Sequence, residues 1–301
     1  MDATMMHEPL GTAAIFAHGE RIHASSRIGL FDGEHMTWRS YAETANRARR
    51  LATALLLAGV DKNTRVATLS WNDFAHFEAY LAVPAMGAVL HTLNLRLHPD
   101  QLRYIMADAG DAFLIADGDL LAGLLPQINS LDALKHILVT GNATRLAGLE
   151  KPWTLYEDFI ADHEPIVEFP DIEETAAAAT CYTSGTTGNP KGVVYSHRTI
   201  YLHSLASMAT NAFALGNSDK ILLLPPMFHA NAWGLPYSGW LAGADFVLPG
   251  PNLQPEAIRR MIRGTAPTFT ATVPTILNDL LRIDAKDPVD MQSFRVIVVG
   301  G

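Results

Sequence analysis

The stretch YTSGTTGNPKG, residues 182–192, decides most of what the sequence predicts about the fold and the site. It combines three glycines, four Ser and Thr hydroxyls and one lysine. Apolar, strand-like runs precede it at residues 176–181 and follow it at residues 193–195. Glycines let backbone N–H groups approach a ligand closely, and N–H groups, hydroxyls and an ammonium together can hold phosphate oxygens. The stretch therefore predicts a nucleotide-phosphate loop between two strands.

This loop differs from a Walker A loop, which has the pattern GxxxxGK[ST] and opens a helix. Here Pro190 precedes Lys191, Gly192 follows it, and a strand is predicted next. The alternative interpretation is a Gly/Thr-rich surface hairpin with an incidental lysine. Because the whole string is much more specific than a short Gly-Thr motif, we favour the phosphate loop.

The string resembles the phosphate loop of the adenylate-forming superfamily, which contains acyl- and aryl-CoA synthetases, luciferases and the adenylation domains of peptide synthetases. Other segments are similar to the fatty-acyl-CoA synthetases of that superfamily, and the resemblance covers nearly the entire chain, with the N-terminal residues weakest. These segments are PPMFHANAWGLPY at residues 225–237, VLPGP at 247–251, TVPT at 272–275, VVGG at 298–301, and GAVLHTLN at 87–94 followed by Arg96 and Leu97.

The composition excludes several classes of protein. The chain has 301 residues, of which 49% are hydrophobic, so it can bury a large core. Its net charge of −9 makes a nucleic-acid partner improbable. No apolar run approaches the ~20 residues that a membrane helix needs, and no signal peptide is visible. The single cysteine, Cys181, allows no internal disulfide, and we expect a cytoplasmic protein in which this residue is a small buried apolar group.

Strand-like and helix-like segments alternate along the chain, which predicts an α/β fold with largely parallel sheets flanked by helices. We expect two α/β subdomains, one over residues 1–172 and one over residues 173–301. Ligands in such sheets bind beyond the carboxyl ends of the strands. The phosphate loop, residues 227–229, Thr272 and residues 300–301 all follow predicted strands, so we expect them to share one site.

The last predicted strand, residues 294–299, is followed by Gly300 and Gly301, where the chain stops. Proteins rarely end inside a core strand at a ligand-binding edge. The resemblance implies an adenine-contacting segment, a metal-contacting glutamate, a ribose-binding aspartate and a C-terminal domain with a catalytic lysine beyond this point. We therefore expect the chain to be the N-terminal portion of a ligase, and to be inactive alone.

The resemblance implies a two-step reaction. A carboxylate attacks the α-phosphorus of ATP to give an acyl-adenylate and pyrophosphate, and coenzyme A then displaces AMP. Mg²⁺ would share the phosphate charge, with its carboxylate ligand beyond residue 301, so no metal ligand is expected in this chain. The residues implied to be catalytic are Thr183, Lys191 and His229. Those implied to bind the nucleotide are Thr183, Ser184, Gly185, Thr186, Thr187, Gly188, Lys191, Gly300 and Gly301.

The resemblance places the acid beside His229, Asn231, Trp233 and Thr272. Position alone favours a core histidine at 229, whereas the resemblance favours an imidazole near the reacting carboxylate. Amino-acid-activating relatives have an aspartate at this place, so we expect a substrate without an amine, since a buried unpaired ammonium is strongly disfavoured. Asn231, Trp233 and Tyr237 would line or close an apolar acyl channel, with plain core packing as the alternative.

Thr272 departs from the family, which usually has glycine there. The added hydroxyl and volume favour shorter or more polar acids over long straight chains. The resemblance nevertheless makes a medium- to long-chain fatty-acid–CoA ligase the leading hypothesis. A ligase for short or sulfur-containing acids, a ligase with another acceptor such as a carrier-protein thiol, and a catalytically incomplete acyl- and nucleotide-binding fragment remain alternatives. Family members commonly pair through the N-terminal region, so a homodimer is an expected assembly.

Overall fold

A computed structural model of the protein describes residues 4–5, 8–183, 189–284, 288 and 291–300. Strands and helices alternate through this part of the chain. The strands are β1 Arg27–Phe31, β2 Met36–Ser40, β3 Arg65–Leu69, β4 Val89–Thr92, β5 Phe113–Asp117, β6 His136–Thr140, β7 Trp153–Leu155, β8 Ala177–Thr183, β9 Lys191–Ser196, β10 Lys220–Leu222, β11 Asp245–Leu248, β12 Phe269–Thr272 and β13 Val296–Val299. The helices are α1 Thr12–Ile22, α2 Tyr41–Leu57, α3 Phe74–Ala85, α4 Pro99–Ala109, α5 Gly118–Ala122, α6 Leu125–Asn129, α7 Tyr156–Ala161, α8 His197–Met208, α9 Leu235–Ala242, α10 Pro255–Thr265 and α11 Pro274–Asp284, with one further helical turn at Ala230–Gly234.

The described strands form two sheets. One has seven strands in the order β7-β6-β5-β3-β4-β8-β9, and the other has six in the order β13-β12-β10-β11-β1-β2. All neighbouring strands are parallel except the hairpins β1–β2 and β8–β9. The predicted fold class, largely parallel α/β sheets flanked by helices, is confirmed.

The two sheets do not follow the predicted division into residues 1–172 and 173–301. The N-terminal hairpin joins the six-stranded sheet, where Ile28 pairs with Phe246 of β11. The hairpin that carries the phosphate loop joins the seven-stranded sheet instead, where Thr92 pairs with Cys181. A single cut between residues 172 and 173 therefore does not separate the sheets. Local strand signals do not reveal this exchange, because a strand pairs with whichever neighbour buries its faces.

The first helices begin and end at residues that the sequence marks. Ser40 and Glu43 form a capping box at the start of α2, and Gly59, with φ of +88°, follows its end. The side chain of Asp73, a residue type that favours N-caps, accepts a hydrogen bond from the N–H of His76 and caps α3. Every residue of α3 except the half-buried Ala75 is buried. A helix that is buried on all faces belongs to the centre of a domain.

The core between the sheets is built around α3 and aromatic side chains. The indole of Trp240 stacks on the ring of Tyr41 with 4.0 Å between the ring centroids. Phe77 of α3 contacts Phe246 of β11 edge-on at 4.9 Å. Helix α1, for which the sequence offered no prediction, packs here as well, because Trp240 donates a hydrogen bond to the carbonyl of Phe16.

Glu78 is a charged residue inside this core. Its carboxylate is fully buried and accepts hydrogen bonds from the guanidinium groups of Arg39 and Arg47 and from the hydroxyl of Tyr156. Burial raises the pKa of the Glu78 carboxyl, while Arg47 acts in the opposite direction. Because Arg47 also pairs with Glu157, the cluster joins α2, α3 and α7.

Helix α8 and strand β7 differ from what local sequence patterns predict, which is a helix over residues 198–214 and an irregular connector over residues 151–170. Helix α8 ends at Met208, whereas the prediction extended it to residue 214; the chain turns there so that the ring of Phe213 contacts that of Phe269 at 5.5 Å. Strand β7 was not predicted within the irregular connector at residues 151–170.

Across the described residues, no helix is both long and apolar enough to cross a membrane.

Candidate active site at the carboxyl ends of the strands

The predicted phosphate loop closes the hairpin β8–β9. Thr183 ends β8 and lies opposite Lys191, the first residue of β9, in the antiparallel register. Both residues are exposed, so a hydroxyl and an ammonium are presented together at the open end of the hairpin. The other predicted phosphate-binding residues, Ser184, Gly185, Thr186, Thr187 and Gly188, lie outside the described residues, as does Gly301.

Cys181 connects this hairpin to the segment with the predicted acid-binding residues. Its Sγ lies 3.1 Å from Oγ1 of Thr92 and 3.2 Å from Oδ1 of Asn231. Burial raises the pKa of the Cys181 thiol, which therefore stays protonated. Cys181 is thus a buried contact between β8 and the turn that follows His229, in agreement with its expected structural role.

The turn Ala230–Gly234 has an unusual backbone. The φ angles of Ala230, Asn231, Ala232 and Trp233 lie between +45° and +58°, and that of Gly234 is +72°. A left-handed conformation costs an ordinary L-residue roughly 1–2 kcal/mol. Consecutive residues of this kind persist only where the surroundings fix them, and they concentrate at functional sites.

Hydrogen bonds from neighbouring elements hold this turn and the segment before it. Tyr80 of α3 donates to the carbonyl of Met227 and lies 3.3 Å from Oδ1 of Asn231. The side-chain amide of Asn72 donates to the carbonyls of Leu223 and Pro225 at 2.8 and 2.9 Å. On the other side, the imidazole of His203 lies 2.9 Å from the carbonyl of Trp233.

A cavity of about 260 Å³, here called the His229 cavity, lies between the carboxyl ends of the strands of both sheets. The imidazole of His229 is exposed to it, and within the described part of the chain no hydrogen bond holds its ring. The alternative of a core histidine at 229 therefore does not describe this residue. The cavity is lined by Asn94, Arg96, Leu224, Pro225, Pro226, Phe228, His229, Trp233, Leu253, Thr272, Val273 and Ile276.

A second cavity, of about 430 Å³ and here called the Asn231 cavity, lies between α8 and the turn. Its lining residues are Tyr195, Thr199, Ile200, His203, Ala230, Asn231, Trp233, Gly234 and Tyr237. Trp233 lines both cavities, so its indole lies between them. Asn231 faces only this second cavity, and its Oδ1 is used by Tyr80 and Cys181.

Tyr237 has a packing role in this second cavity. Its hydroxyl donates to the carbonyl of Tyr80 at 3.1 Å, and burial raises the pKa of the phenol. Thr272 lines the His229 cavity instead, and its carbonyl accepts a hydrogen bond from the N–H of Gly300 at 3.2 Å. The structure therefore brings His229, Trp233 and Thr272 together around the His229 cavity, with Gly300 next to Trp233 and Thr272.

Asn94 and Arg96 line the His229 cavity but were not among the residues predicted for the site. Arg96 is exposed, and its guanidinium has no ion-pair partner among the described residues. Both residues follow β4, a parallel strand beside β8, so the rule that ligands bind beyond the carboxyl ends of strands would have found them.

Comparisons with known proteins agree with this arrangement. The sequence pattern of the AMP-binding enzyme family matches residues 17–301. A long-chain-fatty-acid–CoA ligase of Thermus thermophilus is 42% identical over 99% of this chain and 54% of its own length. A 3-methylmercaptopropionyl-CoA ligase of Ruegeria pomeroyi is 38% identical over 99% of this chain and 56% of its own length.

A solved structure of a long-chain-fatty-acid-CoA ligase from Archaeoglobus fulgidus shares the fold, with a TM-score of 0.85 at 19% identity over 100% of this chain and 60% of that one. The chain spans about half the length of the curated relatives it matches. Because the family pattern covers nearly all of the sequence and the fold agrees, the chain belongs to the AMP-binding enzyme family.

Proposed function

We propose that this chain provides the acid- and phosphate-binding part of an AMP-forming acid–thiol ligase. In the first step a carboxylate oxygen attacks the α-phosphorus of ATP, and the bond to the bridging oxygen breaks as pyrophosphate leaves. In the second step the sulfur of coenzyme A attacks the acyl carbonyl carbon. The bond to the AMP oxygen then breaks, and the thiol proton is released with AMP.

The observation that carries this proposal is the position of two complementary features at the same edge of the sheets. The hairpin end presents Thr183 and Lys191, which suit phosphate oxygens. The His229 cavity offers a mainly apolar wall with an imidazole exposed to it, which suits an acid with an apolar chain. Cys181 joins the hairpin to the turn that follows His229 through its contact with Asn231.

Charge neutralisation on the leaving pyrophosphate is the main requirement of the first step. The Lys191 ammonium and the Thr183 hydroxyl would supply part of it, together with the loop residues 184–188. His229 would donate a hydrogen bond to the carboxylate and orient the attacking oxygen. Gly300 would let the nucleotide approach the backbone closely.

Mg²⁺ would neutralise phosphate charge when it is bound. The described residues contain no group of three or more His, Cys, Asp or Glu side chains that could hold a metal ion. The residues described here therefore do not form a site for this ion by themselves, and no step of the proposed reaction is assigned to it.

The size of the His229 cavity favours a short- to medium-chain acid. Its volume of about 260 Å³ lies below the roughly 300–1,000 Å³ of most small-molecule pockets. A longer chain would have to extend past the indole of Trp233 into the Asn231 cavity. The names of the relatives include both a long-chain and a 3-methylmercaptopropionyl-CoA ligase, so the family accommodates both lengths.

The acid should carry no amine. Among the described residues that line the His229 cavity there is no aspartate or glutamate. An ammonium buried there would lack a counter-ion, and a buried charge without a partner costs several kcal/mol (about 3–5 when one partner is removed). We therefore propose simple carboxylic acids as substrates.

The test is acid-dependent ATP–pyrophosphate exchange by the protein as it is encoded, with unsubstituted acids from propanoate to hexadecanoate. We expect the fastest exchange with short- and medium-chain acids, and a fall of about a hundredfold in His229→Ala and in Lys191→Ala. His35→Ala, in the exposed turn between β1 and β2, is the matched control and should keep full exchange. Absence of exchange from folded protein with every acid would reject the ligase; acid binding without exchange would favour a binding role.

We also propose that the protein works in the cytoplasm and forms a homodimer. The first proposal is supported by the free, buried thiol of Cys181, which suits a reducing compartment. Cell fractionation and light scattering of the purified protein test the two proposals separately.

A further inference from the structure

The hydroxyl of Thr272 has no role in the reaction proposed above. Thr272 ends β12 and is 2% exposed. Among the residues that the structure describes, its Oγ1 is buried without a hydrogen-bond partner. The backbone carbonyl of the same residue is satisfied by the N–H of Gly300. Buried hydroxyls in proteins nearly always have a partner, so this one calls for an explanation.

Thr270 offers a direct comparison within the same strand. Residues two positions apart on a strand point to the same face of the sheet, so the two threonine side chains lie on the same face. Oγ1 of Thr270 donates to the carbonyl of Leu222 at 2.8 Å. Thr272 differs in that it borders the His229 cavity. Thr272 therefore lies at the wall of the space that a ligand would occupy.

The cavity wall around Thr272 cannot satisfy this hydroxyl. Its neighbours Leu224, Val273 and Ile276 contribute apolar side chains to the wall. The polar residues of the cavity, Asn94, Arg96 and His229, make no hydrogen bond to it within the described residues. Because Thr272 borders the cavity, a ligand bound there can supply the partner that the described residues do not.

We infer that Thr272 is a specificity-determining residue that selects acids whose chain carries a hydrogen-bond acceptor, oxygen or sulfur, close to the carboxylate. The inference rests on the proposed function in one respect only, namely that the His229 cavity holds the acid. An oxygen acceptor satisfies the hydroxyl well, a thioether sulfur accepts weakly, and a methylene leaves the hydroxyl buried and unsatisfied. Sites with a buried polar group reject analogues that lack its partner.

An isosteric series of acids tests this ranking. The acids 3-methoxypropanoate, 3-(methylthio)propanoate and pentanoate differ in one chain atom, which is oxygen, sulfur or carbon. We expect isothermal titration of the protein to show about fivefold tighter binding of the methoxy acid than of pentanoate, as one neutral hydrogen bond gives, with the thioether between them. Equal affinities, or no binding of any of the three acids, would overturn the inference.

Two variants separate a hydrogen bond from a change in shape. Thr272→Val removes the hydroxyl and keeps the side-chain volume, so it should abolish the preference for oxygen over carbon, whereas Thr272→Ser should retain it. Thr270→Val, which removes a hydroxyl that already has a partner, should lower stability and leave the preference unchanged. An unchanged preference in Thr272→Val contradicts the assignment.

Exchange kinetics with the same three acids distinguish the two proposals. Selective binding without pyrophosphate exchange would reject the ligase and retain the role of Thr272. Exchange at equal kcat/KM with all three acids, unchanged in Thr272→Val, would retain the ligase and reject the role of Thr272.

Discussion

The indole of Trp233 lies against Gly300, so closely that even a methyl side chain at position 300 would be a tight fit. A Cβ atom added at Gly300 would come within 3.3 Å of Cη2 of the indole. Trp233 belongs to the left-handed turn that separates the two cavities, and Gly300 follows β13. The end of β13 therefore fixes the position of the side chain that stands between the cavities.

Gly300→Ala should move the indole by a few tenths of an ångström and disturb the position of the acid. We expect pyrophosphate exchange to fall by about tenfold, since small misplacements of a bound reactant have large effects on rate. Gly264→Ala is the matched control, because a Cβ at Gly264 meets nothing within 4 Å. Equal exchange rates for the two variants, each with an intact fold by circular dichroism, would show that this contact does not matter for catalysis.

Arg96→Gln should weaken acid or nucleotide binding. The guanidinium of Arg96 lines the His229 cavity without an ion-pair partner among the described residues, so an anionic ligand can pair with it. Hydrogen bonds to charged groups contribute about 1.5–3 kcal/mol, and we expect KM for the acid or for ATP to rise by about tenfold or more. Arg103→Gln, an exposed arginine on α4, should leave both KM values unchanged. Unchanged KM values in Arg96→Gln would remove this residue from the site.

Glu78→Gln should strongly destabilise the fold. The carboxylate of Glu78 is fully buried between Arg39 and Arg47, and its loss leaves both guanidinium groups without their buried partner. We expect a loss of about 3 kcal/mol in the free energy of unfolding, measured with urea. Glu157, the other partner of Arg47, has a side chain that is 66% exposed. Glu157→Gln should therefore lower the free energy of unfolding by less than about 1 kcal/mol. Similar costs for the two variants would contradict a central role for Glu78.

His76→Gln should reduce the fall in unfolding free energy that the protein shows in mild acid. Burial lowers the pKa of His76 from 6.5 to about 4, while its ring nitrogens lie 2.9 Å from Thr68 Oγ1 and from the Trp71 carbonyl. The His76 imidazole binds a proton more tightly in the unfolded chain than in the folded protein. Its full contribution to the free energy of unfolding is therefore present above pH 6.5, where the ring is neutral in both states. This stability is lost as the pH falls towards 4, by about 2 kcal/mol at pH 5.

The neighbouring carboxyl acts in the opposite direction. Burial raises the pKa of Asp73 to about 6, so its contribution to stability is lost as the pH rises through 6. Asp73 is present in both proteins, and the difference between their pH profiles isolates His76. We expect the slope of unfolding free energy between pH 5 and 6.5 to be smaller in His76→Gln. Parallel profiles would show that His76 does not titrate in this range.

Most elements and the grouping of the site could be predicted from local patterns. The Asp32-Gly33 turn, the cap at Asp73 and the alternation of strands with helices each depend on a few adjacent residues. Strand ends of a parallel sheet lie at one edge, which predicts that His229 and Thr272 share one site, and both residues line the His229 cavity.

What could not be predicted depends on contacts between distant residues. The left-handed backbone from Ala230 to Trp233 has no local signal, since alanine and tryptophan do not favour positive φ. Bonds from Tyr80, and the contact of Asn231 with Cys181, fix it from outside the segment. Asn231 was assigned to the acid-binding site from its position in the string, and its side chain faces the second cavity because of these same bonds.

The exchange of hairpins between the sheets also determines when the protein can finish folding during its synthesis. Strand β1 lies between β2 and β11, and Ile28 meets a partner, Phe246, that is made much later. A two-stranded hairpin alone is at best marginally stable. At the usual 5–20 residues per second, the ribosome needs roughly 10–40 seconds to reach that partner. During this time the apolar side chains of β1 have no sheet to join, and a chaperone that binds nascent chains would find its target near the N-terminus.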